Sequence, residues 1–161
     1  MEFNIRPASS EDMDSVHHLI RELAHFEKEP QAVEVTVAQL RAHGFGEHPL
    51  FHCIVGEHKG EIVGMALVYA RYSTWKGPVL HLEDLIVTER MRGSGLGSAL
   101  LDEVVAHGHK MGVKRISWEV LDWNEPAIQF YEAKGAKVMR DWDVVQMDEQ
   151  GMAKYLKNRQ Y

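Results

Sequence analysis

With one cysteine, Cys53, in 161 residues, the chain cannot form an intramolecular disulfide. No apolar run approaches the length of a membrane span. The start, Met1-Glu2-Phe3-Asn4-Ile5-Arg6-Pro7, has neither the basic nor the apolar region of a secretory leader. These absences predict a soluble cytoplasmic protein without a membrane partner. There is no basic run either, and the net charge of -6 makes the chain a poor ligand for nucleic acid. Acidity suits a cationic partner, though it is commonplace among soluble proteins. Linkers, repeats and low-complexity tracts are also missing, so the expectation is a single domain over residues 1–161.

What is plentiful is histidine, with ten residues. His107 and His109 stand two apart on an expected helix and so face different sides. His17 and His18 are adjacent, and His48 and His52 flank a strand start with no third ligand nearby. None of these has a metal-ligand spacing, so no metal is expected.

The hydrophobic pattern divides the chain cleanly. Phe3 and Ile5 suggest a short strand, closed by Pro7. Ser9 and Asp12 form a capping-box pair ahead of Met13, Val16, Leu19, Ile20, Leu23 and Phe26, whose spacing predicts a helix to about Glu27. A shorter helix is expected around Val37 and Leu40, stopped by Gly44. Residues 51–57 and 61–72 read as strands joined by a turn at His58-Lys59-Gly60, and residues 79–87 as a third. Leu96, Leu100, Leu101, Val104 and Val105 mark an amphipathic helix fading near Gly108. Residues 116–121 read as a strand, and Asn124 caps a helix with Pro126 in its first turn and Gly135 past its end. Residues 138–147 read as a final strand or pair. Strands first, then strand and helix in alternation, predict an α/β domain.

Between a strand and a helix lies Arg92-Gly93-Ser94-Gly95-Leu96-Gly97. Glycines let backbone approach a ligand closely, and the first N–H groups of a helix are unpaired and carry its positive end. An anion, above all a pyrophosphate, suits such a pocket. On these residues alone a loop chosen only for turning is as good a reading. The P-loop ending Gly-Lys-Ser/Thr is absent, since Gly97-Ser98-Ala99 stands there, and the glycine spacing is not that of a dinucleotide fingerprint.

Just ahead of the turn, Glu83 and Asp84 interrupt the apolar strand Val79-Leu80-His81-Leu82-Glu83-Asp84-Leu85-Ile86-Val87. Alternation sends adjacent residues to opposite faces, so one sheet face cannot hide both, and an unpaired buried carboxylate costs several kcal/mol, on the order of a broken buried ion pair. An edge strand with a solvated face would tolerate them. The closeness of the glycine turn weighs for a site. A carboxylate there can hold an ammonium and take its proton, with Glu83 as the base and Asp84 in support. Tyr131, on the last expected helix, reads by residue type as an amphipathic core tyrosine, yet its phenol is a suitable proton donor to a departing thiolate.

Arg92, Gly95 and Gly97 resemble motif A of the GNAT acetyltransferase superfamily, Arg/Gln-x-x-Gly-x-Gly/Ala. Arg21-Glu22-Leu23-Ala24, Gly44-Phe45-Gly46-Glu47-His48-Pro49, Phe51-His52-Cys53, Leu82-Glu83-Asp84, Arg92-Gly93 and Trp123-Asn124-Glu125-Pro126 resemble the spermidine/spermine N1-acetyltransferase group. Tyr72-Ser73-Thr74-Trp75-Lys76-Gly77, Phe26-Glu27-Lys28 and Val120-Leu121-Asp122-Trp123-Asn124 are similar to its thialysine Nε-acetyltransferase branch, which takes lysine-like amino acids and small diamines. Ser73 replaces an acid of the polyamine enzyme and Lys76 adds a positive charge.

The resemblance implies a mixed, mostly antiparallel sheet flanked by helices, acetyl-CoA as cosubstrate, a small amine as acceptor and a homodimer, with Trp142–Met147 as a candidate contact. It implies that Arg92, Gly93, Ser94, Gly95, Leu96, Gly97 and Ser98 hold the pyrophosphate and that the backbone of Leu85, Ile86 and Val87 binds pantetheine. Asn124, Glu125, Pro126, Ala127 and Tyr131 would also contact the cofactor, with Tyr131 as general acid, although Ala127 lacks the hydroxyl of a family serine. Phe26, Glu27, Ser73, Trp75, Glu83, Asp84, Ser117, Trp118 and Glu119 would line the amine site. Two other readings stay open: a spermidine/spermine enzyme, and a CoA-binding module without catalysis.

Overall fold

The computed structural model describes residues 1–159. Residues 1–119 form one compact unit and the chain from Val120 a second. In the first unit the elements are strand β1 (Asn4–Pro7), helix α1 (Met13–Phe26), helix α2 (Val37–Phe45), strands β2 (His52–His58), β3 (Glu61–Ser73) and β4 (Gly77–Val87), helix α3 (Leu96–Met111) and strand β5 (Ile116–Ser117). The sheet order is β1-β2-β3-β4-β5. Every pairing is antiparallel except β4 with β5, which is parallel, so the sheet is mixed and mostly antiparallel as expected.

Local chemistry accounts for the boundaries. Asp12 accepts the Ser9 N–H at 2.7 Å and takes both Nη atoms of Arg6 at 2.7 and 2.9 Å, which ties β1 to the entry of α1. Those bonds hold the Asp12 carboxyl down at about 2. Lys59 and Gly60, both at positive φ, make the two-residue turn that joins β2 to β3. Gly44 does not stop α2. The helix runs on to Phe45, and a Cβ at Gly44 would lie 2.4 Å from the Phe51 ring, so close packing explains that glycine. Gly108 likewise sits inside α3, pressed against Ile116, and the left-handed Gly112 ends the helix.

Two cores position the site. One face of the sheet buries Cys53, Val55, Met65, Leu67 and Ile86 with Met13, Val16 and Leu19 of α1 and Leu40 of α2. On the other face Gly56 and Gly64, direct cross-strand partners, leave a notch filled by Leu96, the first residue of α3. A side chain at Gly56 would meet Leu96 at 2.6 Å. That notch anchors the N-terminus of α3 beside the sheet.

Two expectations need correction. β5 is only Ile116–Ser117, not a strand to residue 121. In the second unit, with helices α4 (Glu125–Ala133) and α5 (Glu149–Asn158), residues 138–147 contain no strand. Val138, Val144 and Val145 have the composition of a strand, but strand propensity acts through pairing, and no strand pairs there among the described residues. Helix α5 is an addition to the elements expected from the sequence, and its apolar residues Met152, Tyr155 and Leu156 are all exposed. Its cap is regular, with Asp148 Oδ1 accepting the Gly151 N–H at 2.8 Å.

Candidate active site

The central feature is a β-bulge. Leu67 pairs with Asp84 and its neighbour Val68 with Leu82, so Glu83 is an extra residue in β4. Strict alternation, which would send Glu83 and Asp84 to opposite faces, is thereby broken. Asp84 lies opposite Leu67, on the α1 face. The Glu83 carboxylate turns to the same side, where its Oε2 accepts from Tyr69 Oη at 3.2 Å and lies 3.6 Å from His81 Nε2. Tyr69 and His81 are themselves cross-strand partners.

A cluster of acids results. Asp84 is pushed up to about 6, mainly by burial and then by the negative charges of Glu83 and Glu27. Burial also raises Glu27, which caps the C-terminus of α1. Glu119 adds its charge to the field at Tyr69 and His81. The Tyr69 phenol is raised, chiefly by burial and then by Glu83. His81 is lowered by burial and by Arg71, against the pull of Glu83. The arrangement offers an amine several carboxylates, of which Glu83 is half exposed.

Parallel pairing of β4 with β5 ends at His81 and Ser117, so among the described residues no strand pairs with β4 from Glu83 to Val87 on that side, and its edge is bare of strands. The edge leads through a 3-10 turn (Glu89–Met91) to the glycine segment. Gly93 and Gly95 have φ of 75° and 91°, a conformation that only glycine adopts without strain. The first helical bond of α3 is Ala99 N–H to Gly95 C=O, and the Leu96 N–H reaches Ser94 Oγ at 3.4 Å. The N–H groups of Gly97 and Ser98 precede the helical ladder and point outward, with no acidic side chain in that first turn. Gly97 is helical, and a Cβ there would meet only Val87 Cγ2 at 3.8 Å.

Helix α1 braces this loop. Glu22 accepts from Thr88 Oγ1 at 3.0 Å and from the Glu89 N–H at 2.9 Å. The Arg92 guanidinium lies 5.1 Å from the centre of the Phe26 ring, and its Nε donates to the Val87 carbonyl at 3.4 Å.

Of the residues expected in the site, the first unit thus brings together Phe26, Glu27, Glu83, Asp84, Arg92, Ser117 and Glu119, with Leu85, Ile86 and Val87 on the bare edge. Trp118 follows β5 directly. Ser73 and Trp75 lie at the far tip of the β3–β4 hairpin, where Ser73 Oγ accepts the N–H groups of Trp75 and Lys76. At a strand rise of about 3.3 Å per residue, that tip is roughly 20 Å from Glu83. Asn124 to Ala127 and Tyr131 belong to the second unit: Asn124 Oδ1 caps α4 through the Ala127 N–H at 3.4 Å, and Tyr131 packs edge-on against Phe130.

Sequence reasoning missed Tyr69, Arg71, His81 and the bracing role of Glu22. His81 carried a signal, because it sits two residues before Glu83 in an apolar strand. Cys53 is buried and its thiol is pushed up to about 12, mainly by burial. Among the described residues no group of three or more His, Cys, Asp or Glu is placed to hold a metal, and no helix is long and apolar enough to cross a membrane.

An acidic cluster at the start of a bare strand edge, leading into a glycine turn and a helix N-terminus, is the layout of an N-acetyltransferase. The chain belongs to the Acetyltransferase (GNAT) family, whose sequence pattern it matches over residues 13–136. It is 41% identical over 141 residues to the thialysine N-epsilon-acetyltransferase of Bos taurus, covering 83% of each chain. It is 35% identical to the human spermidine/spermine N(1)-acetyltransferase-like protein 1, over 83% of this chain and 20% of that longer protein. An integron cassette protein from the mobile metagenome of V. cholerae shares the fold, with a TM-score of 0.79 at 22% identity over 98% of this chain and 99% of its own.

Proposed function

We propose that the chain transfers the acetyl group of acetyl-CoA to a primary amine of a lysine-like amino acid of the thialysine type, or of a small diamine. The observation that carries this reading is the bulge at Glu83. It turns two carboxylates to one face just past the point where β4 loses its β5 partner, so an acidic site opens onto a strand edge leading to the N-terminus of α3. The Gly97 and Ser98 N–H groups suit a pyrophosphate, and the edge of Leu85 to Val87 suits the amides of pantetheine. The relatives named for thialysine acetylation support the lysine-like acceptor.

In this reading Glu83 takes a proton from the ammonium, directly or through water, since a lysine-like amine with a reference pKa of about 10.4 arrives charged. Asp84, Glu27 and Glu119 stabilise the cation before the neutral amine attacks the thioester. Tyr131 protonates the departing thiolate. Attack is direct, because a buried thiol raised to about 12 is a poor nucleophile at neutral pH.

The test is a comparison of kcat/KM for thialysine, lysine, putrescine and spermidine. Thialysine or lysine should lead. A spermidine or spermine enzyme is a second reading, favoured by the four acids Glu27, Glu83, Asp84 and Glu119, and spermidine leading the series would establish it. Acetyl-CoA binding with no turnover of any amine would point instead to a binding module without catalysis. We also propose a cytoplasmic homodimer with Trp142–Met147 as a contact, supported by the exposure of Trp142, Val144, Val145 and Met147. Light scattering of the full chain tests the dimer.

A further inference from the structure

Among the described residues, His81 is the least exposed polar or charged residue, at 5%, and its ring lies against Glu83. A buried imidazole needs partners for both ring nitrogens. Nδ1 lies 3.3 Å from Arg71 Nη1 and 3.0 Å from Ser117 Oγ. A guanidinium has no acceptor, so it must donate, and Nδ1 must offer its lone pair. The ring proton therefore sits on Nε2, 3.6 Å from Glu83 Oε2, and burial together with Arg71 favours this neutral form. That approach is just longer than a hydrogen bond, as catalytic contacts often are before substrate binds. Tyr69 Oη donates to the same oxygen.

We propose that His81 is a positioning residue for Glu83: locked by Arg71 as the Nε2–H tautomer, with Ser117 Oγ beside the same Nδ1, it works with Tyr69 to hold Oε2 and leave Oε1 for the amine. Nothing in the acetyl-transfer reading requires a histidine here, but the proposal rests on Glu83 being the base.

The amide of glutamine reaches where Nε2 lies, whereas that of asparagine reaches only Nδ1. His81→Asn should lower kcat about tenfold, the cost of losing one donor to a charged group, with KM for the amine and acetyl-CoA affinity little changed. His81→Gln should recover kcat to within about threefold of the parent. In a Glu83→Gln background, His81→Asn should cost less than about twofold, since its action passes through Glu83. Arg71→Leu, at an exposed position where folding is not at risk, should lower kcat severalfold by freeing the tautomer.

Equal damage from Gln and Asn at position 81 would overturn the proposal, as would a loss from His81→Asn that persists in the Glu83→Gln protein, or an Arg71→Leu protein with unchanged kcat. A Glu83→Gln protein with full activity would overturn the base assignment itself, and is told apart because it needs no change at His81.

Discussion

Gly97 gives the sharpest test of the cofactor turn, because protein and ligand ask opposite things of it. Gly93 and Gly95 are needed by the chain itself: both sit at positive φ, where another residue is strained by about 1–2 kcal/mol. Gly97 is different. It lies inside the first turn of α3 with helical backbone, and a Cβ would touch only Val87 Cγ2 at 3.8 Å, an ordinary contact. Glycine in a helix is less stable than alanine by up to about 1 kcal/mol. Gly97→Gln, which places another good helix former there, should therefore stabilise the free protein by a few tenths to about 1 kcal/mol. For a chain of this size that is a rise in Tm of up to about 4 °C.

Motif A admits alanine at this position, but the longer glutamine side chain would enter the space that a pyrophosphate on the first-turn N–H groups must occupy. Acetyl-CoA affinity should fall about tenfold or more, about 1.4 kcal/mol of lost binding. Calorimetric titration with acetyl-CoA and thermal unfolding without ligand read the two effects separately. Gly95→Ala serves as the contrast and should lower Tm. If Gly97→Gln binds acetyl-CoA as the parent does, no phosphate lies over that turn and the reasoning fails. If it lowers Tm, Gly97 serves the fold after all.

Asp84→Asn should stabilise the protein at neutral pH. A carboxyl raised from 3.8 to about 6 on folding contributes stability that is complete below pH 3.8 and lost as pH rises through about 6, so the advantage of Asn should shrink as pH falls from 7.5 to 5. Equal Tm values for both proteins at pH 7.5 would show that Asp84 is not desolvated. Glu22→Ala strips the acceptor from Thr88 Oγ1 and the Glu89 N–H, so it should loosen the loop, raise KM for acetyl-CoA and cost about 1–3 kcal/mol of stability. Unchanged KM would disconnect α1 from cofactor binding. Tyr131→Phe should cut turnover by about a hundredfold or more with acetyl-CoA affinity preserved, and an unchanged rate would remove Tyr131 from the chemistry.

The legible parts of the sequence were those in which one physical demand acts alone. The Ser9–Asp12 box, the Lys59-Gly60 turn and the left-handed glycines of the cofactor turn each answer a local need, and each was found where expected. Strand and helix ends were misjudged where a long-range contact overrode a local signal. Gly44 and Gly108 looked like helix stops, but both make room for a neighbour, Phe51 and Ile116, that only the folded chain brings near. Residues 138–147 failed in the opposite way: their composition suits a strand, and composition cannot supply a partner.

The site follows the same division. Glu83 and Asp84 were conspicuous because charge in an apolar strand is costly, but alternation assigned them to opposite faces. A bulge is one residue's excess on one strand, visible only in the register between two. The register around Glu83 then sets out the site. Both carboxylates share a face, Tyr69 and His81 come under them, and β5 gives out where the bulge begins. Arg71 was unreadable for the same reason, since it reaches Glu83 through its cross-strand neighbours, above all the ring of His81. The sequence thus displays the groups proposed to do the chemistry, while the groups proposed to aim them are displayed by the pairing of β3 with β4.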